Sequence, residues 1–452
     1  MYSKQTLAAL GVALALGFAL PSTASAKDPE LPFQKYKLDN GLEVILHQDK
    51  SVPLVAVNVW YHVGSGDETP GKSGFAHLFE HMLFQGSEHV GEDKHFDTLK
   101  NIGASGVNGT TNPDRTNYFE VVPSHEIETG LWLESDRMGY LLPLLNQKSL
   151  DNQIEVVRNE RRQRYDNVPY GQTRFATAAA LYPENHPYRY LTIGKHEDLT
   201  SSTLADVKEF YNKWYVPANA TLVLAGDFEI PEAKRLVEKW FGTFPTTTKP
   251  QYVVPAFPEP KATRVEVQDE FAKLRRLDYV WTTPGIYKPG DAELDIVASA
   301  LGRTGTGRLY KILVHEKQLA QRIAVYQASS NYSSTFTVSV TAKSGADLAE
   351  IEKIVQEEVA KVISGPVTKE EFDRALVGFE SGYVWGLESL NARANRLQGY
   401  NHFLGNPDSI TADLDRYRNT NVAAVQQVAA KYLVPERRVE ILTVPAAKPA
   451  SK

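Results

Sequence analysis

The chain has 452 residues, 42% of them hydrophobic and 23% charged, with a formal net charge of −6. That composition fits a folded chain of two or three domains, and no basic stretch offers a surface for nucleic acid. The absence of cysteine excludes disulfides, thiolate metal ligands and a cysteine nucleophile.

The first element is an address. Lys4 precedes an apolar run, Leu7 to Leu20, then Pro21 and the small residues Ala24-Ser25-Ala26. This is the pattern of a secretory signal peptide over 1–26, cleaved after Ala26. The run is shorter than the roughly 20 residues that span a bilayer. No later run is long enough, so a soluble periplasmic protein without a membrane anchor is expected.

Residues 27–243 read as a first domain. "LEVILHQ" and "LVAVNVWYHV" carry strand patterns. His62, in the second of these, is expected to be structural. The next stretch, "GSGDETPGKSGFAHLFEHMLF" (64–84), holds two motifs that exclude each other. Gly66 to Ser73 is a formal G-x-x-x-x-G-K-S phosphate loop. Its interior carries Asp67 and Glu68, which repel a polyanion, and Pro70, which has no N–H to donate. A nucleotide is therefore not expected.

From Gly74 the pattern is helical and apolar on every side except at His77, Glu80 and His81. At about 100° per residue, His77 and His81 share one face, one turn apart, and Glu80 falls beside them. Two neutral imidazoles so placed can hold one zinc, and the neighbouring carboxylate can take a proton from the attacking water. Three groups so costly to bury unpartnered argue for a shared reason. His89 and His95, in the polar "GEDKHFD" region, are expected at the surface.

A strand follows at Thr116–Val122, then helices from Ser124 to about Tyr165. The helical "LDNQIEVVRNERRQRYDN" (150–167) offers Glu155 and Glu160 as a third ligand. Five positions apart, they project about 140° from each other, so one alone faces the site. Spacing does not choose between them. "TLVLAGDF" (221–228) is another strand.

Residues 244–262, rich in Pro and Thr, read as a linker. Residues 263–445 then repeat the outline of the first domain without a zinc motif, and "LGRTGTGR" (301–308) reads as a glycine-rich turn. Residues 446–452 read as a tail. The expected fold is α+β, with two homologous domains, each a mostly antiparallel sheet flanked by helices.

H-x-x-E-H is the inverted zincin signature, and the chain resembles the pitrilysin/insulinase family. That resemblance implies one Zn2+ per chain, with Glu80 as general base. "QIEVVRNE" stands where the family has a stretch like "ERGVVLEE", which assigns the third ligand to Glu160. Gln153 occupies a position where the family often has a second glutamate, and hydrogen bonding to the site is implied there. "GASGVNGTTNPDRTNYFEVV" (103–122) resembles a segment whose strand edge pairs with substrate, with Asn108 holding a peptide carbonyl.

The family closes a chamber with a second pair of domains. Its far half carries an arginine and a tyrosine, seven apart, in a stretch like "LREKRGLAY". Here "LVHEKQLAQ" (313–321) has Val314 and Gln321 at those positions. The implied partner is a homologous subunit that supplies the pair, giving a heterodimer. The alternative is a homodimer relying on His315 or Arg322. The implied activity is hydrolysis of peptides or unfolded polypeptides by an exported zinc metalloendopeptidase. The competing reading is a zinc-bearing peptide-binding or assembly subunit without turnover.

Overall fold

The computed structural model describes residues 27–447; the expected signal peptide, 1–26, and residues 448–452 of the expected tail lie outside them. Short apolar and alternating runs become the strands of two mixed sheets. The first holds β1 (Gln34–Lys37), β2 (Glu43–Gln48), β3 (Leu54–Tyr61), β4 (Ser105–Thr111), β5 (Thr116–Pro123) and β6 (Ala220–Gly226), in the order β1-β2-β6-β3-β5-β4. The second holds β7 (Thr263–Asp269), β8 (Arg276–Thr283), β9 (Ala320–Ala328), β10 (Ser334–Ala342) and β11 (Val439–Pro445), in the order β7-β11-β8-β10-β9.

Without β1 the two orders are the same. The directions match too: β2–β6 and β7–β11 are parallel, and the remaining neighbours are antiparallel. The fold is α+β, built twice on one plan.

The helices that matter below are α1 (Phe75–Gln85), α2 (Lys94–Asn101), α3 (Ile127–Gly139), α4 (Gln147–Arg161), α5 (Gly171–Leu181), α6 (Asp291–Gly302) and α7 (Leu390–Leu404). A π-helical turn, Arg162–Asp166, extends α4. Helices α1 and α6 hold corresponding places after β3 and β8. Both start at a glycine in the left-handed region, Gly74 at φ 93° and Gly290 at φ 103°, which a residue with a Cβ adopts only under strain.

One face of the first sheet buries Val57, Val59 and Tyr61 against Phe75 and Phe79 of α1 and Leu131 of α3. The opposite face, with Ile45, Ala56, Val223 and Ala225, packs on Leu390, Ala394 and Leu397 of α7. In return, Ala178 and Leu181 of α5 pack on Val280, Val439 and Ile441 of the second sheet. Each half lends the other a helix. Burying side chains of leucine or valine size contributes about 1.5–3 kcal/mol each, so the exchange fixes the halves to one another.

Residues 243–262 have no regular structure. They are nonetheless anchored, because the Tyr252 hydroxyl donates to Asn219 Oδ1 at 2.5 Å. No helix among the described residues is long and apolar enough to cross a membrane.

Candidate metal centre and active site

Six residues of α1 are buried in the core, Phe75, Ala76, Leu78, Phe79, Met82 and Leu83. They fix the rotation of the helix. The remaining side is left for His77, Glu80 and His81, beside α4 and the edge strand β4.

His77 Nε2 and His81 Nε2 lie 3.3 Å apart. Glu160 Oε2, from α4, lies 3.5 Å from the first and 3.2 Å from the second. Among the described residues this is the one group of three His, Asp or Glu donors close enough to share an ion. Bonds of about 2.0–2.1 Å to a tetrahedral zinc put neighbouring ligand atoms roughly 3.3 Å apart, and the three separations bracket that value. Burial, then the neighbouring His81, pushes the His77 imidazole down to about 4, so it stays neutral with a lone pair to give. The hydrogen bond with His81, against the effect of burial, holds the Glu160 carboxyl below its ordinary value. Its other oxygen, Oε1, forms an ion pair with Arg164 at 2.7 Å, which leaves Oε2 for the cluster. Two imidazoles and one carboxylate fit zinc with an open fourth position.

Glu155 turns away and pairs with Arg158. Of the two candidates on this helix, the structure brings Glu160 to the histidines.

Glu80 is half-buried, and burial raises its carboxyl above the ordinary value. The Thr111 hydroxyl, from β4, opposes that by donating to Glu80 Oε2 at 2.6 Å. The strand comes this close because of Gly109. A Cβ there would lie 2.9 Å from the Phe84 ring and 3.1 Å from Glu80 Cγ. The β4–β5 turn is clasped by the second half of the chain. Asp114 Oδ2 accepts from Asn331 N at 3.0 Å, Asp114 Oδ1 accepts from the Tyr188 hydroxyl, and that hydroxyl accepts from Tyr332 N at 3.1 Å.

The phosphate-loop motif has other work. Glu68 accepts from Gly74 N at 3.0 Å and Ala76 N at 2.9 Å, so it caps α1 with the N–H groups a phosphate would need. Lys72 pairs with Asp206 at 2.8 Å.

Asn108 lies on β4 with an exposed side chain, and its Oδ1 accepts from Gly109 N at 3.0 Å. Gln153 is buried on α4, two turns before Glu160. It makes no hydrogen bond to the three donor residues and instead lines a cavity of about 330 Å³ with Met82 and Leu145. Val314 packs on the second core, while Gln321 and Arg322 are exposed at the start of β9. His315 stands edge-on to Tyr310.

One histidine expectation needs correction. His95 is not at the surface: it is 3% exposed and held by Arg137, because α2 folds that side of the polar stretch inward. His62 follows β3 and is buried, with Thr221 Oγ1 3.1 Å away. His89 is exposed as expected and pairs with Asp136. Thr111, Gly109 and Arg164 escaped the sequence reading. Arg164 had a signal, its i,i+4 spacing from Glu160; Thr111 had none, since only the sheet brings it to Glu80.

A family model described as insulinase (peptidase family M16) matches residues 43–185, and one described as the peptidase M16 inactive domain matches residues 201–377. A curated relative, zinc protease PqqE of Helicobacter pylori (strain ATCC 700392 / 26695), is 27% identical over 402 residues, covering 86% of this chain and 88% of its own. The crystal structure of a protease from Helicobacter pylori superposes with a TM-score of 0.84 at 24% identity, over 93% of this chain and 100% of that one. The periplasmic protease PqqL from Escherichia coli gives a TM-score of 0.76 at 19% identity, over 94% of this chain but 49% of that one.

Proposed function

The chain belongs to the insulinase family, peptidase family M16, and we propose that it is an exported zinc metallopeptidase. Its substrates are peptides or unfolded polypeptides, cut inside a chamber completed by a second subunit. The observation that carries this reading is the convergence of His77, His81 and Glu160 beside a half-buried Glu80 steadied by Thr111.

His77, His81 and Glu160 hold the metal, one per chain. Bound zinc supplies Lewis acidity for the scissile carbonyl and the attacking water. Glu80 takes the proton of that water at the oxygen Thr111 does not hold and returns it to the leaving amine. β4 lies at the end of its sheet, so an extended substrate adds to it as a further strand, with Asn108 as a donor to its backbone. Periplasmic location is supported by the signal-peptide pattern. A partner is supported by Val314 and Gln321 standing where the family's arginine and tyrosine belong, and by the chain spanning half the length of the Escherichia coli protease. The heterodimer is preferred, because one donor aimed at the oxyanion contributes about two to three orders of magnitude in rate.

The deciding experiment uses zinc-loaded mature chain, alone and with a candidate sister subunit, on a quenched fluorescent peptide library. Cleavage is expected to fall by about 10²–10⁴-fold in Glu80→Gln, with zinc content unchanged. Full-length peptide recovered from every mixture would instead support a peptide-capturing subunit without turnover.

A further inference from the structure

The second sheet has one face the proposed chemistry does not use. Along β10, Phe336, Val338 and Val340 point into the core, and Thr335, Thr337, Ser339 and Thr341 point the other way, as a period of two requires. Helix α5 covers that polar face along β7 and β11. Over β8, β10 and β9 an open cleft of about 1000 Å³ remains between helix and sheet.

Strand register sorts the cleft floor into rows. Arg322 of β9, Thr341 of β10 and Arg276 of β8 form one; Ala324, Ser339 and Asp278 the next; Tyr326, Thr337 and Val280 the third. The first row is basic. The Tyr170 ring, at the cap of α5, lies 4.2 Å from the Arg276 guanidinium, which sets the start of α5 over that row. Arg174, one turn along α5, lines the same cleft. At the far end Val280 packs with Leu181 and Tyr182, so that end is apolar.

Three guanidinium groups thus meet one carboxylate, and Asp278 is already engaged by Arg276 at 2.9 Å. Among the described residues no carboxylate lies within ion-pair distance of Arg174 or Arg322. An exposed arginine alone means little. Two of them on a concave wall, beside a row of hydroxyls and in a chain of net charge −6, make a local site for negative charge.

We infer that this cleft is a second peptide-binding site. It takes an extended segment with a carboxylate at the Arg174–Arg276–Arg322 end and an apolar side chain at the Val280–Tyr182 end. The first and third rows are four residues apart along β10, about 13 Å, the length of a short extended segment. The inference rests on the peptide reading above and deepens it: the chain favours peptides that pair an apolar residue with negative charge a few residues away.

The test uses the zinc-loaded Glu80→Gln chain and fluorescence anisotropy. The probe is a fluorescein-tagged decapeptide of leucine, alanine and serine ending in two glutamates. Its companions carry an amidated C-terminus, glutamines for the glutamates, or both changes. The acidic probe is expected to bind about tenfold more tightly than the doubly neutral one. Arg174→Gln with Arg322→Gln should remove that difference, and added salt should remove it from the unchanged cleft. Preference retained by the amidated probe assigns the carboxylate to side chains; preference retained by the glutamine probe assigns it to the terminus. Equal binding of acidic and neutral probes, or a preference that survives the double substitution in a variant with native circular dichroism, overturns the inference. Charge-selective binding with no cleavage by the Glu80 chain, alone or with a partner, would reject the peptidase reading alone.

Discussion

Helices α1 and α6 start from the same kind of left-handed glycine, after the same strand, over the same sheet plan, yet only one carries chemistry. Counted from those glycines, His77, Glu80 and His81 correspond to Glu293, Ile296 and Val297. Glu293 is occupied in capping α6, where its carboxylate accepts from Gly290 N at 3.0 Å. Ile296 and Val297 are fully buried in the second core. The comparison separates what the fold requires from what the reaction requires. The fold needs the glycine and an apolar face. The reaction needs a polar side facing a neighbouring helix with a carboxylate and a strand with a hydroxyl.

The harshest way to break the comparison is to put the first helix's carboxylate into the second. Ile296→Glu has no threonine or imidazole to meet it, and burying an unpartnered charge should cost more than about 4 kcal/mol. Denaturant unfolding would read this as a collapse of the midpoint; a variant as stable as the parent would mean that α6 is as accommodating as α1.

A milder change sharpens the comparison from the other side. Thr111→Ala removes the donor that steadies Glu80. A hydrogen bond to a charged group contributes about 1.5–3 kcal/mol, so kcat should fall by about tenfold or more while zinc content and melting temperature hold. An unchanged kcat would leave Thr111 a strand residue and nothing else.

The smallest effect concerns a half-buried carboxyl on α6. Burial pushes Asp295 up to about 7, against a hydrogen bond donated by the Tyr417 hydroxyl at 2.7 Å. A folded value raised above the ordinary 3.8 means that the folded state holds this proton more tightly. Its contribution is therefore fully present at low pH and lost as pH rises through about 7. Asp295→Asn should shift the melting temperature upward relative to the parent more at pH 8 than at pH 5. An equal shift at both would show that the group is ionised in the fold throughout.

Legibility follows the range of the interaction. His77, Glu80 and His81 are written within five residues, and their helix could be seen from its own pattern. Glu160 was visible as one of two glutamates. Choosing it took either family resemblance or the packing of α4 on α1, because Glu155 is an equally good carboxylate on the wrong side. Thr111 and Gly109 act across a sheet edge, and no local pattern marks them. His95 misled because a polar neighbourhood in sequence is not a polar neighbourhood in space: α2 turns it under Arg137. The period of two along β10 sets one hydroxyl face, but not the cleft above it, which depends on where α5 lands.

The exchanged helices impose an order in time. The strands of the first sheet are complete once Gly226 has been made, but the face bearing Ile45, Ala56, Val223 and Ala225 is closed only by Leu390, Ala394 and Leu397. Everything between those points must emerge first. Through that interval the nascent chain carries an apolar sheet with nothing to cover it, a state suited to a polypeptide kept unfolded until it is whole and hazardous for one that folds as it is made.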